Sequence, residues 1–193
     1  MSLSDTDLAS QLDQPPQADP TGIIPLPAAV MGYGGLLPFA LAALGIWVLP
    51  VSIATFVVSA QIFYAAIIIG FLGAVHWGWA IGRDFDVPTT SWEPYAWGVT
   101  PAVLAWIIVV LSAFPTGTAP GDTVLALDQT VSLMMALLLL TLLVDLKRSR
   151  NTEGDIARWP AWYRRLRWHL TIGAVASLAI SLSRILSYDA TLA

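Results

Sequence analysis

Residues 20–82, PTGIIPLPAAVMGYGGLLPFALAALGIWVLPVSIATFVVSAQIFYAAIIIGFLGAVHWGWAIG, run for 63 positions without an Asp, Glu, Lys or Arg. As one helix at 1.5 Å per residue the stretch would be about 94 Å long, roughly three times the ~30 Å hydrocarbon core of a bilayer. It must therefore fold back on itself. The break falls at Leu49-Pro50-Val51-Ser52, because proline disfavours helix interiors and restricts the residue before it. Two spans result, near 29–49 and 54–81.

The pattern continues beyond this stretch. A third apolar run covers about 95–114 and ends at Pro115-Thr-Gly-Thr-Ala-Pro-Gly121; a fourth covers 124–146 and a fifth 166–187. The runs are continuous and lack two-residue alternation. In hydrocarbon the backbone must satisfy its own hydrogen bonds, so such runs predict helices rather than a barrel. The expected fold is all-α: a polytopic integral membrane protein built as a bundle of five transmembrane helices over 23–188. Composition agrees. Hydrophobic residues make up 56%, charged residues only 11%, and mean hydropathy is +0.70. So few charges could not cover a water-soluble fold of this size. The absence of cysteine excludes disulfides and any Cys-ligated zinc or iron–sulfur site.

Charge is distributed unevenly. Residues 1–22 hold Asp5, Asp7, Asp13 and Asp19 and no base, and account for the net charge of −4. This Ser-, Asp-, Gln- and Pro-rich tail is expected to be disordered. It has neither the features of a secretory signal nor those of a mitochondrial transit peptide. Eight of the nine bases fall in two connections: Arg83 after span two, and Lys147, Arg148, Arg150, Arg158, Arg164, Arg165 and Arg167 between spans four and five. With five spans these connections share a side. The positive-inside rule then predicts N-terminus inside and C-terminus outside. Most tryptophans fall near the same face, where indoles favour the headgroup boundary. The 147–165 loop combines Trp159, Trp162 and Tyr163 with Arg164 and Arg165, and reads as an anchor on an anionic inner leaflet. Residues 189–193 form a short tail. Nothing points to nucleic acid.

Span two carries small residues every fourth position, Ala66, Gly70, Ala74, Gly78 and Gly82. Such spacing lets helix backbones approach closely. His76 and Arg83 project from nearly the opposite face, which places span two centrally. In span five, Arg184 lies about one turn from the outer boundary, at a depth comparable to Asp128, and an Arg184–Asp128 pair is expected. Pro101 should bend span three, and Gly32-Tyr33-Gly34-Gly35 marks close packing or bending in span one.

Ionisable groups inside a membrane are candidate functional sites. His76 is the foremost, although a neutral histidine bonded to a carbonyl on a neighbouring helix is the more common reading of such a residue. Asp145, Arg83 and His169 belong to the same half of the membrane, and His76, Arg83 and Asp145 could converge. Bis-histidine haem through His76 and His169 has no further motif behind it, so no cofactor and no metal are expected. No hydrolase, zinc-protease or phosphate-loop motif is present, and no catalytic residue is assigned. Span two has a single amide, Gln61, and five spans do not divide into the paired repeats of many transporters. The leading expectation is a non-enzymatic membrane component that partners other membrane proteins or itself. The alternative is a transporter-like protein binding a small molecule or ion at the cluster around His76.

Several stretches together carry a resemblance. They are Ile24-Pro-Leu-Pro27 leading into Gly32-Tyr-Gly-Gly-Leu-Leu-Pro-Phe39, then Phe71-Leu-Gly-Ala-Val-His-Trp-Gly78, Thr100-Pro-Ala-Val-Leu-Ala-Trp106, Asp145-Leu146, and Pro160-Ala-Trp-Tyr-Arg-Arg-Leu-Arg167. The chain thereby resembles the domain-of-unknown-function 3429 family, whose animal members are called transmembrane protein 69. The resemblance covers about 24–188. It implies a small polytopic protein of bacterial or mitochondrial inner membranes and carries over no reaction. The acidic tail favours the bacterial membrane.

Overall fold

The computed structural model describes residues 22–83, 92–117, 123–150 and 160–192. The expected order or disorder of the N-terminal tail, and the anchor Trp159, lie outside these. So does the side chain of Arg83.

Five helical spans are long and apolar enough to cross a membrane: Leu26–Val48, Val51–Gly82, Glu93–Ala113, Leu127–Arg148 and Ala161–Tyr188. The first is two helices, α1 (Leu26–Gly34) and α2 (Leu37–Val48). The others are α3 (Val51–Arg83), α4 (Glu93–Ala113), α5 (Leu127–Arg150) and α6 (Ala161–Leu192). The only pairing outside helices among the described residues is a bridge from Pro115 to Thr123.

The break in span one has a local cause. Gly35 N–H turns back to Gly32 O at 3.1 Å, and Pro38, the second residue of α2, has no amide proton to extend the ladder. Tyr64 of α3 donates its hydroxyl to the Gly35 carbonyl at 2.9 Å, supplying a partner at the kink. Pro101 is accommodated inside α4, and Thr100 Oγ1 donates to Ala96 O at 2.8 Å, one residue before the carbonyl that proline leaves without its N–H.

α3 is central: it packs on α2, α4 and α5, while α6 packs on α1, α2 and α5. A core of Phe39, Ile46, Ile69, Met134, Leu138 and Leu178 lies between them. Leu41, Phe56, Phe63, Ile67 and Trp106 face outward, as lipid-facing residues must.

The close contact of α3 is not where the four-residue stripe places it. A Cβ added at Gly78 or Gly82 would meet nothing within 4 Å, whereas one at Gly73 would run into the Gly98 carbonyl of α4, and one at Gly98 would run into the Trp77 ring. Gly70 approaches Ala102, and Ala66 is partly buried, but Ala74 is exposed. The reason is geometric. Four residues turn the helix about 400°, so a four-residue stripe drifts about 40° per step and about 160° between Ala66 and Gly82. The α4 contact instead follows Gly70, Gly73 and Trp77, the three-and-four spacing of one helical face. Trp77 Nε1 completes it by donating to Tyr95 O at 2.8 Å.

At the end of the bundle that carries most of the bases, Gly22 adopts φ +59°, a left-handed conformation that favours glycine. This brings its carbonyl to Arg165 Nη1 at 3.3 Å. Span five begins at Ala161 rather than near 166. Tyr163, Arg164, Arg165 and Arg167 are therefore helical residues and not part of a loop.

Candidate functional site

Three helices bring charged side chains to one point beneath the base-rich end. α3 supplies His76, α5 Asp145 and α6 Arg167, each five to seven residues in from its helix end and so about 8–10 Å deep. Their exposures are 1%, 7% and 3%. Arg167 Nε donates to Asp145 Oδ2 at 2.7 Å, and His76 Nε2 stands 3.3 Å from Asp145 Oδ1. Arg167 also reaches Thr171 Oγ1 at 3.3 Å, one turn along its own helix, and Thr141 Oγ1 at 3.5 Å on α5. His76 Nδ1 lies 3.4 Å from Leu72 O. Asp145 is the hub: its Oδ2 accepts from Arg167, and its Oδ1 faces the His76 ring.

Of the expected cluster, His76 and Asp145 come together. His169 does not join them: two positions from Arg167 on a helix it points about 200° away. Its Nδ1 is hydrogen-bonded to the Tyr33 hydroxyl at 2.8 Å, with the rings stacked. The two histidines are thus engaged by different partners on different faces.

Arg167 is the member that sequence reasoning missed, having been counted among the connection's bases. A signal was present. Thr141 and Asp145 on α5, and Arg167 and Thr171 on α6, are complementary polar pairs at four-residue spacing, which puts each pair on one helix face.

Arg184 does not pair with Asp128. Its Nη2 donates to Tyr188 Oη at 2.8 Å, and the guanidinium lies over the Tyr188 and Trp47 rings at 4.1 and 5.1 Å. Trp47 is fixed by donating to Ile180 O at 3.3 Å. Asp128 sits in the first turn of α5, where a carboxylate is already stabilised by the helix N-terminus. Trp162 and Tyr163 pack edge to face with centroids 6.0 Å apart, and Arg164 is exposed.

Beside the cluster lies a cavity of about 110 Å³ between the kinked first span, α3 and α6. Gly32, Leu36, Phe71 and Leu72 line it, and among the described residues Arg167 and Thr171 are the only polar side chains that do. Among the described residues no group of three or more His, Asp or Glu could hold a metal ion.

Five apolar spans closed around a buried ion pair define a multi-pass, α-helical membrane protein. More narrowly, the chain belongs to the family described as a protein of unknown function, DUF3429, whose sequence profile matches residues 24–183. It is 30% identical over 158 residues to Transmembrane protein 69 of Xenopus tropicalis, covering 82% of this chain and 54% of that protein. The chain thus spans about half the length of this relative. No solved structure matches it.

Proposed function

We propose that the chain is a non-enzymatic component of a bacterial inner membrane that associates with other membrane proteins or with copies of itself. The observation that carries this reading is the bare face of α3. Ala74, Gly78 and Gly82 are exposed, and Gly78 and Gly82 have no neighbour within reach of a Cβ. Small residues on an outward helix face suit the close approach of another helix. The ion-pair cluster supports the same reading from inside. Asp145 binds Arg167 through Oδ2 and faces His76 through Oδ1, and His76 is 1% exposed, an arrangement suited to fixing α3, α5 and α6 against each other. A transporter-like role at His76 would need an open polar path to that ring.

In this reading the base-rich end faces the cell interior, with the first span entering from inside and the fifth ending outside. Arg164 and Trp162 rest on anionic headgroups there. A reporter fused after Ala193 should read periplasmic.

The chain lacks cysteine, so association can be mapped by single cysteines. Gly78→Cys in native membranes should cross-link to a second polypeptide through a short bis-maleimide. Trp106→Cys, on the lipid-facing side of α4, should stay monomeric. If Gly78→Cys also stays monomeric, the proposal fails.

A further inference from the structure

The cavity beside Arg167 has an orientation as well as a volume. Met31 and Phe71, at its rim, are 76% and 63% exposed, and both lie within membrane spans. Its mouth therefore opens sideways into hydrocarbon and not toward water. Its floor is polar. Arg167 has five N–H groups, and the described residues take three contacts from it: one short, to Asp145, and two long, to Thr171 and Thr141. The carboxylate neutralises the charge but leaves N–H donors over. The volume, about 110 Å³, approaches the ~150 Å³ at which an apolar cavity takes up a benzene-sized ring.

These features select a ligand. It must arrive through lipid, so it is a lipophile. It must offer an acceptor to spare guanidinium N–H groups that already have their counter-charge, so an uncharged carbonyl fits better than an anion. It must place that acceptor about 9 Å in from the start of α6, where an ionised head would be costly and a ketone or quinone-type oxygen is not. We propose that this cavity binds an uncharged, carbonyl-headed lipophile, its ring or chain between the kinked first span and Phe71 and its oxygen on Arg167. This goes beyond the association role and does not depend on it.

The test uses the full chain in lipid nanodiscs with para-decylbenzophenone, whose carbonyl is also the photoreactive atom. Irradiation and peptide mass analysis should place adducts at Met31, Leu36 or Leu170. An excess of decyl phenyl ketone should suppress them, and undecylbenzene, which lacks the oxygen, should compete about tenfold more weakly. Ile68→Phe, which fills the cavity from half-buried α3 lining, should abolish labelling at an unchanged melting temperature. Arg167→Lys, which keeps the charge but not the guanidinium fork, should weaken it about tenfold. Equal competition by undecylbenzene or stronger competition by decanoate would overturn the assignment. So would labelling that survives Ile68→Phe or that spreads over the lipid-facing surface.

Discussion

Of the four arginines in the last span, the fold treats two, Arg167 and Arg184, differently. Arg167 is 3% exposed and held by a carboxylate and two threonine hydroxyls. Arg184 is half-buried and held by a phenol hydroxyl and the faces of Trp47 and Tyr188, with no ion pair among the described residues. The two are 17 residues apart on one helix, about 25 Å along its axis. Near the far end of α6 a guanidinium can snorkel to water, and an aromatic face is then sufficient company. Arg167 enters where hydrocarbon and packed Leu side chains surround the helix, and only a full counter-charge makes its burial tolerable. Depth, more than residue type, decides which kind of partner a buried cation requires.

Breaking the Arg167 end should have the largest effect. Asp145→Leu strands an unpaired guanidinium and removes the partner of His76. A loss of about 3–5 kcal/mol is expected, measured by denaturant or SDS titration in mixed micelles. Asp145→Leu combined with Arg167→Leu should recover most of that loss, because the desolvation penalty disappears together with the attraction. A double variant as unstable as the single one would show that the ion pair is not what makes Asp145 matter.

A second comparison tests the corrected helix contact. Gly98→Ala drives a methyl group into the Trp77 ring and should cost about 1–3 kcal/mol, the range for overpacking. Gly78→Ala meets nothing in the chain and should change the stability of the isolated protein by less than about 1 kcal/mol. Thermal melts of the two variants side by side are enough. Equal destabilisation would return the contact to the four-residue stripe.

The Arg184 end should respond more weakly. Arg184→Gln gives up the stacking on Trp47 and Tyr188 but leaves no buried charge behind. A loss of about 0.5–1 kcal/mol is expected, with Arg184→Lys smaller still. A loss comparable to that of Asp145→Leu would mean that the outer cluster is as desolvated as the inner one.

The bundle was legible because its signal is long and cumulative. An uncharged run from Pro20 to Gly82 and three further apolar runs leave little choice but helical spans. The meeting of His76 with Asp145 was legible only as shared depth. Arg167 was hidden because Trp162-Tyr163-Arg164-Arg165-Leu166-Arg167-Trp168 has the composition of an interface. Composition does not show that helical twist turns Arg165 outward and Arg167 inward. The Arg184–Asp128 pair failed for the same reason. Equal depth on two helices does not fix azimuth, and the guanidinium found the nearer Tyr188 one turn along its own helix. Span length reads from sequence; rotation about the helix axis is set by packing at positions such as Gly73 and Gly98.

The smallest effect belongs to a third arginine, which separates the two variables that differ between the first pair. Arg148 donates to Glu93 at 2.9 Å, joining the end of α5 to the start of α4. It has the partner chemistry of Arg167, but the Glu93 side chain is 78% exposed, so water screens the attraction and hydrates either ion once the other is gone. If counter-charge alone made the inner pair important, Glu93→Gln would resemble Asp145→Leu. If burial does, Glu93→Gln should cost no more than about 0.5 kcal/mol and the difference should vanish in high salt. Melting curves of the wild type and Glu93→Gln at low and high sodium chloride decide between them. A salt-insensitive loss of several degrees would place this pair beneath the headgroups and move the membrane boundary beyond the ends of α4 and α5.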